Sequence, residues 1–222
     1  MTPFKNPHTK YPVPPFQKQK QSVPGTEAEM KPKADHGEES YIGAGKLKGT
    51  KAIITGADSG IGRAIAIAYA REGADVMINY GYDIEDKDAE ETVRWVEKEG
   101  RKAILSKGDL RDENYCNELI NTAKKEFGTI DILVNNAAFQ MAHKSLEEIP
   151  SKDWDRTFET NIRSMFYLCK AVVPLMQPGS SIINTASVTS YNPNAVLLDY
   201  AATKGAIQNF TANLAQILLE QD

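Results

Sequence analysis

From Lys48 onward, short apolar runs alternate with longer stretches whose apolar residues recur every three or four positions. The runs KAIIT (51–55), DVMINY (75–80), KAILS (102–106), IDILVN (130–135) and SIINTAS (181–187) are rich in β-branched residues and short enough for buried strands. Helical periodicity falls between them near 61–72, 87–99, 112–127 and 151–176. A last helix from about Asp199 carries Ile207, Phe210, Leu214, Ile217 and Leu218 on one face. Gly73, Gly100 and Gly128 stand where the first three helices should end in a left-handed residue. Alternation at this spacing predicts right-handed βαβ units, hence an α/β fold with a doubly wound parallel sheet and helices on both faces. There is no internal repeat.

The first 45 residues break this pattern. They hold seven of the eleven prolines (Pro3, Pro7, Pro12, Pro14, Pro15, Pro24 and Pro32), are mostly polar and show neither period. Such a segment buries too little apolar surface to offset its ordering entropy, which predicts an extended arm (1–45) attached to a domain (46–222). Phe4, Tyr11, Phe16 and Tyr41 are candidates for docking it on the domain or on a neighbouring subunit; a loose tail is the alternative.

Composition narrows the function classes. A net charge of −4 without a basic block argues against nucleic acid as a partner. Cys116 and Cys169 form neither a metal-binding spacing nor a disulfide framework. No apolar leader and no run of eighteen apolar residues is present, so a soluble cytoplasmic protein with no membrane span is expected.

Chemistry enters with TGADSGIG (55–62), which follows the first strand and opens the first helix. There Gly56 permits a sharp turn, Gly60 lets backbone approach a pyrophosphate, and Gly62 lets the helix pack close, its N–H groups aimed at the anion. Thr-Gly-x-x-x-Gly-Ile-Gly differs from the more widespread Gly-x-Gly-x-x-Gly. It resembles the signature of the short-chain dehydrogenase/reductase family in its compact branch. Four further features occur in the family's order: Asp109 and Leu110 in GDL, NNAA (135–138), Asn161 in FETNIRSMFYL, and Ser187 thirteen residues before Tyr200. Alone, the Tyr200–Lys204 spacing would arise about once by chance; in this series it reads as the family's catalytic pair. The arm also resembles a bacterial subgroup of general-stress or aldehyde/sugar oxidoreductases.

The resemblance implies a Rossmann-like fold and NAD(P)-dependent hydride transfer between nicotinamide and a small aldehyde, ketone or sugar-like polyol. It implies catalytic roles for Asn161, Ser187, Tyr200 and Lys204. Cofactor contacts are implied for Thr55, Gly56, Asp58, Ser59, Gly60, Ile61, Gly62, Tyr80, Asp109, Leu110, Asn136 and Ala137, with Tyr200 and Lys204. Tyr200 would exchange a proton with the substrate oxygen, Lys204 would favour its phenolate, Ser187 would polarise that oxygen and Asn161 would hold a relay water. Ala138 replaces the family's usual glycine and should tighten the cofactor wall slightly. Tyr80 stands where an NAD site needs a carboxylate, so NADP is expected over NAD, with dual use open because acids dominate 83–91.

Phe139, Gln140, Met141, His143, Val188, Tyr191, Asn192 and Leu197 are expected around the substrate, with His143 a loop residue and Trp95 and Trp154 packing residues. A homo-oligomer, dimer or tetramer, is implied, paired through the long fourth and the last helices. The family continues through a sixth strand, a substrate-covering loop and a seventh strand. A sheet truncated at its C-terminus, ending in an exposed fifth strand, is therefore expected. The alternative function class is a truncated nucleotide-binding or interaction protein with weak or no activity.

Overall fold

The computed structural model describes residue 6 and residues 8–219. The strands are β1 (Lys51–Thr55), β2 (Asp75–Tyr80), β3 (Ala103–Lys107), β4 (Ile132–Asn135) and β5 (Ser181–Asn184). All pair in parallel in the order β3-β2-β1-β4-β5. The chain winds outward from β1 to β3, then restarts on the other side with β4. The carboxyl ends of β1 and β4 are thus the switch point, where α/β sheets open a crevice.

Alternation along each strand divides the core between two faces. Ala52, Ile54, Val76, Ile78 and Val134 pack under α1 (Gly60–Arg71) and α2 (Asp86–Lys98) through Ala66, Ala70 and Val96. Ile53, Met77 and Leu133 pack on the other face under α3 (Glu113–Phe127) and α5 (Ser164–Val172). Cys116, Leu119, Ile120, Leu168 and Val172 complete that second layer. Both faces are covered, which is why the strands read as continuous apolar runs. The three helix-closing glycines all take positive φ.

Two expectations are corrected. The single helix over 151–176 is α4 (Ser151–Phe158), a π turn (Glu159–Arg163), α5 and a 3-10 turn (Val173–Leu175). Within the π turn the Ser164 N–H reaches back to Glu159 C=O, and Ser164 Oγ donates to Thr160 C=O at 2.5 Å. The fifth strand stops at Asn184: the Thr185 N–H still bonds Asn135 C=O of β4, but the Thr185 carbonyl and Ser187 turn toward other partners described below. It lies at the sheet edge, with Ile183 43% exposed. The last helix, α6, spans Leu198–Leu219. Trp154 is exposed and stacks on Phe158, while Trp95 is half-buried and donates to Glu91; neither is a core residue.

The described part of the arm is held by hydrogen bonds to charged side chains of the domain, not by apolar burial of Tyr11 and Phe16. Tyr11 and Phe16 are about half exposed, at 48% and 51%, and Phe4 lies outside the described residues. Among the described three, Tyr41 docks, through its hydroxyl, on the Glu72 carboxylate. Glu72 also accepts from the N–H groups of Ala44 (3.0 Å) and Lys46 (2.8 Å). Those bonds, Tyr41 first, pull its carboxyl down to about 2. The Arg71 guanidinium binds the carbonyls of Gly37, Glu38 and Tyr41. Gly43 lies so close to this helix end that a Cβ would sit 2.1 Å from Arg71 C=O.

Glu72→Ala removes the acceptor shared by three donors. It is expected to lower Tm and to speed protease cleavage within 37–47 about tenfold, through local opening. Mass-mapped limited proteolysis checks this; an unchanged cleavage pattern would refute the junction.

Candidate active site

The glycine-rich turn is built as its residue types demand. Gly56 (φ 60°) and Gly60 (φ 52°) take a backbone conformation that side chains disfavour. A Cβ on Gly62 would stand 1.9 Å from Gly56 C=O and 2.8 Å from the Asn136 amide. Glycine is therefore needed at 62 to pack the helix start against the turn itself and the β4 loop. The first turn of α1 carries no acidic residue, and its cap, Ser59, makes no side-chain cap bond.

The ends of β1 and β4 are joined through one hydroxyl. Thr55 Oγ1 accepts from the N–H groups of Asn136 (2.9 Å) and Ala137 (3.0 Å). Asn136 Nδ2 returns bonds to the carbonyls of Thr55 (3.1 Å) and Gly56 (3.2 Å). The cleft above has a volume of about 520 Å³. Of the expected contacts, Gly56, Asp58, Ser59, Gly60, Ile61, Tyr80, Asp109, Leu110, Asn136 and Ala137 line it, joined by Ala138. Thr55 and Gly62 lie behind the lining as supports.

Charges at the far end of the cleft are already engaged. Asp109 takes three bonds from the Arg111 guanidinium and one from its N–H, which hold the carboxyl low and ionised. Burial, with the Glu85 and Asp88 charges nearby, pushes Asp58 up to about 6. Glu85 accepts from the N–H groups of Gly81 (3.1 Å) and Tyr82 (2.9 Å). Lys107 is paired with Asp83 (2.7 Å) and Asp86 (3.1 Å). Burial and a hydrogen bond to Asp86 push the Tyr80 phenol up to about 12, so it stays neutral. Arg156, which the sequence did not single out, covers the Phe139 ring at 4.0 Å and donates to Tyr82 Oη at 2.9 Å.

Asn161 is fully buried in the π turn. Its Oδ1 accepts from the Phe139 N–H (2.7 Å); its Nδ2 donates to Phe139 C=O (2.9 Å) and Thr203 Oγ1 (3.1 Å). Next to Thr203, Lys204 is 1% exposed and donates to Thr185 C=O at 2.7 Å. Burial lowers its pKa to about 8. Its Nζ lies 5.4 Å from the ring centre of Tyr200, which is half-buried one turn earlier. Ser187, two residues beyond Thr185, caps a 3-10 turn and accepts from Thr189 N–H (3.2 Å) and Oγ1 (3.0 Å). Ser187, Tyr200 and Lys204 do not line the 520 Å³ cleft. They adjoin its Phe139 end through the chain Phe139–Asn161–Thr203–Lys204–Thr185. Thr185 and Thr203, the links in this chain, carry no motif of their own in the sequence.

Of the expected substrate-side residues, Phe139 and Gln140 line the cleft and Leu197 is buried, while Val188 and Tyr191 are largely exposed. His143 sits in a loop, its N–H on Val196 C=O and its ring 3.7 Å from Asp153. Cys116 and Cys169 are unpaired and buried, and burial pushes their thiols up to about 12 and about 11.

General stress protein 39 of Bacillus subtilis is 51% identical over 197 residues, covering 89% of this chain and 68% of that protein. NADPH-dependent aldehyde reductase 1, a chloroplastic protein of Arabidopsis thaliana, is 42% identical over 210 residues, covering 92% and 73%. The crystal structure of a short chain dehydrogenase from Burkholderia cenocepacia in complex with NADP superposes with a TM-score of 0.75. It is 34% identical and covers 78% of this chain and 70% of that one. The family profile of the short chain dehydrogenases matches residues 50–221, and with that cleft and fold the chain belongs to the short-chain dehydrogenase/reductase family, as an NAD(P)-dependent oxidoreductase.

Proposed function

We propose that the protein interconverts a small aldehyde or related carbonyl compound with its alcohol, using NADP(H) in preference to NAD(H), with Tyr200 as the acid/base group. The observation that carries this reading is Lys204, a buried ammonium one helical turn beyond Tyr200 and held by Thr185 C=O. Burying that charge is costly, and its use is to favour the phenolate of Tyr200 when a proton is taken or given.

Gly56, Ser59 and Ile61 would hold the pyrophosphate at the N-terminus of α1, with Gly60 allowing the close backbone approach. Asp109 and Leu110 would take the adenine, and Asn136 and Ala137 the middle of the dinucleotide. The glycine cradle supports this fit, because side chains at 56, 60 or 62 would strain or fill it. When bound, the nicotinamide gives or takes the hydride. In the reductive direction Tyr200 donates its phenolic proton to the carbonyl oxygen, and Lys204 stabilises the phenolate left behind. Ser187 Oγ already accepts two bonds from Thr189, so its own proton is the one free to donate to that oxygen. Both Nδ2 hydrogens and one Oδ1 lone pair of the fully buried Asn161 are engaged, so a relay water would be held by main-chain groups of the widened turn instead.

The NADP-bound relative structure supports NADP(H), and Tyr80 offers no carboxylate to the ribose. Asp58 and Glu85 nevertheless put negative charge beside that position. We therefore expect a preference for NADPH over NADH of no more than about tenfold, roughly 1.4 kcal/mol. The apolar cleft of about 560 Å³ between α5 and α6, lined by Phe166, Phe210, Leu214 and Ile217, supports assembly as a homo-oligomer. Among the described residues, no helix is long and apolar enough to cross a membrane.

Three outcomes test this reading. Tyr200→Phe is expected to cut aldehyde reduction by about 10³-fold while dinucleotide affinity survives; near-normal turnover would remove Tyr200 from its role. Parallel titrations with NADPH and NADH should differ by about tenfold or less; a hundredfold gap would refute the balance of charges described. Lys204→Met should abolish turnover yet raise the Tm of the unliganded protein at pH 7 by about 3–5 °C. The sign follows from Lys204 titrating near 8 when folded and near 10.5 when unfolded. Between these values only the unfolded chain keeps the proton, so wild-type stability should rise with pH across that window, and the variant should lose the rise.

A further inference from the structure

The chemistry above makes no use of the N-terminal arm, yet Glu27, a buried carboxylate of the arm, lies against the glycine-rich turn. Glu27 Oε1 accepts from Gly60 N–H (3.3 Å) and faces His36 Nε2 (2.6 Å), while Oε2 meets Arg63 Nη1 (2.7 Å). Its own N–H donates to Asp88 Oδ2 at 2.7 Å. Arg63 reaches in turn to Asp58 C=O, with Nε at 2.9 Å and Nη2 at 2.7 Å. One charge cluster thus grips the turn at both Asp58 and Gly60. His36 has a carboxylate on each ring nitrogen, Glu27 and Glu38, an arrangement that calls for the doubly protonated ring.

Four and three residues before Glu27, Val23 and Pro24 line the same 520 Å³ cleft as Tyr80, Tyr82 and Asp109. Val23 is 59% exposed, so it contributes little to the core. Its position is nonetheless set. Gln21 closes a loop over it, accepting from Thr26 N–H (2.6 Å) and donating to Thr26 C=O (2.9 Å), and Glu27 follows directly.

We propose that the arm is a working part of the dinucleotide site, in which the buried Glu27 cluster braces the glycine-rich turn from behind and sets Val23 and Pro24 as a wall for the adenosine end. The proposal rests on the reading of this cleft as the dinucleotide site. An arm fixed beforehand spares the ligand the cost of ordering it, so the effect falls on affinity and leaves the chemical step alone.

The test measures ADP-ribose binding by calorimetry, and KM for NADPH with kcat for an aldehyde, in the full chain. The variants are Glu27→Gln, which breaks the brace, and the double variant Val23→Gly/Pro24→Gly, which removes the wall formed by an exposed Val23 and a half-buried Pro24. Glu27→Gln should weaken ADP-ribose about tenfold, and the double variant about three- to fivefold with Tm lowered by no more than a few degrees. Both should raise KM for NADPH and leave kcat within about twofold. Wild-type affinity in both variants, or a fall in kcat with KM unchanged, overturns the proposal. If wild type binds ADP-ribose but shows no turnover, the catalytic reading fails and the binding arm of the test still decides this one. If wild type binds no ADP-ribose, the reading of the cleft fails and this proposal fails with it.

Discussion

The Thr55 hydroxyl holds the functional end of the molecule together. It stands where β1 and β4, neighbours in the sheet, send their chains apart, and where main-chain groups leave the ladder without a strand partner. By accepting from Asn136 and Ala137, and with Asn136 bonding back to Thr55 and Gly56, it makes the two strand ends one rigid floor. Gly56 lies so close to Ala137 that a Cβ would sit 3.0 Å from its Cα. The glycine turn, the start of α1 and the cleft all stand on that floor.

Around it, buried charge is treated in two ways. In the Glu27–His36–Arg63–Asp88 cluster each charge faces an opposite one. Burial would raise Glu27, but the His36 hydrogen bond and Arg63 outweigh it and its pKa falls. Burial would lower His36, but Glu27 and Glu38 outweigh it and its pKa rises. Lys204 has no carboxylate partner among the described residues, only a carbonyl, and burial wins. A matched cluster suits a structural brace; an uncompensated ammonium suits a group that must bias a neighbour's proton.

The strands and most helices were readable because both sheet faces are apolar and the glycine stops are local. The cleft-lining residues were readable because the glycine turn is contiguous in sequence. The π turn at Glu159–Arg163 was hidden, because Met165, Leu168, Cys169 and Val172 keep an ordinary helical stripe past it. The early end of β5 was hidden because Lys204, nineteen residues on, captures Thr185. The arm misled most. Its aromatics suggested apolar docking, while the residues that hold it, Glu27 and Glu72's partners, show no period and meet groups as many as 61 residues away.

The two thiols carry a further consequence. Cys116 and Cys169 sit beneath α3 and α5 as neutral, unpaired sulfhydryls, and only the thiolate reacts readily with electrophiles. If its substrates are the carbonyl compounds proposed above, the enzyme works amid reagents that alkylate or add to exposed thiolates. Here the folded chain offers them no thiolate, so it should tolerate thiol-directed reagents that would inactivate a surface-cysteine enzyme. Loss of that tolerance would mark unfolding, making thiol reactivity a direct gauge of how often the core opens.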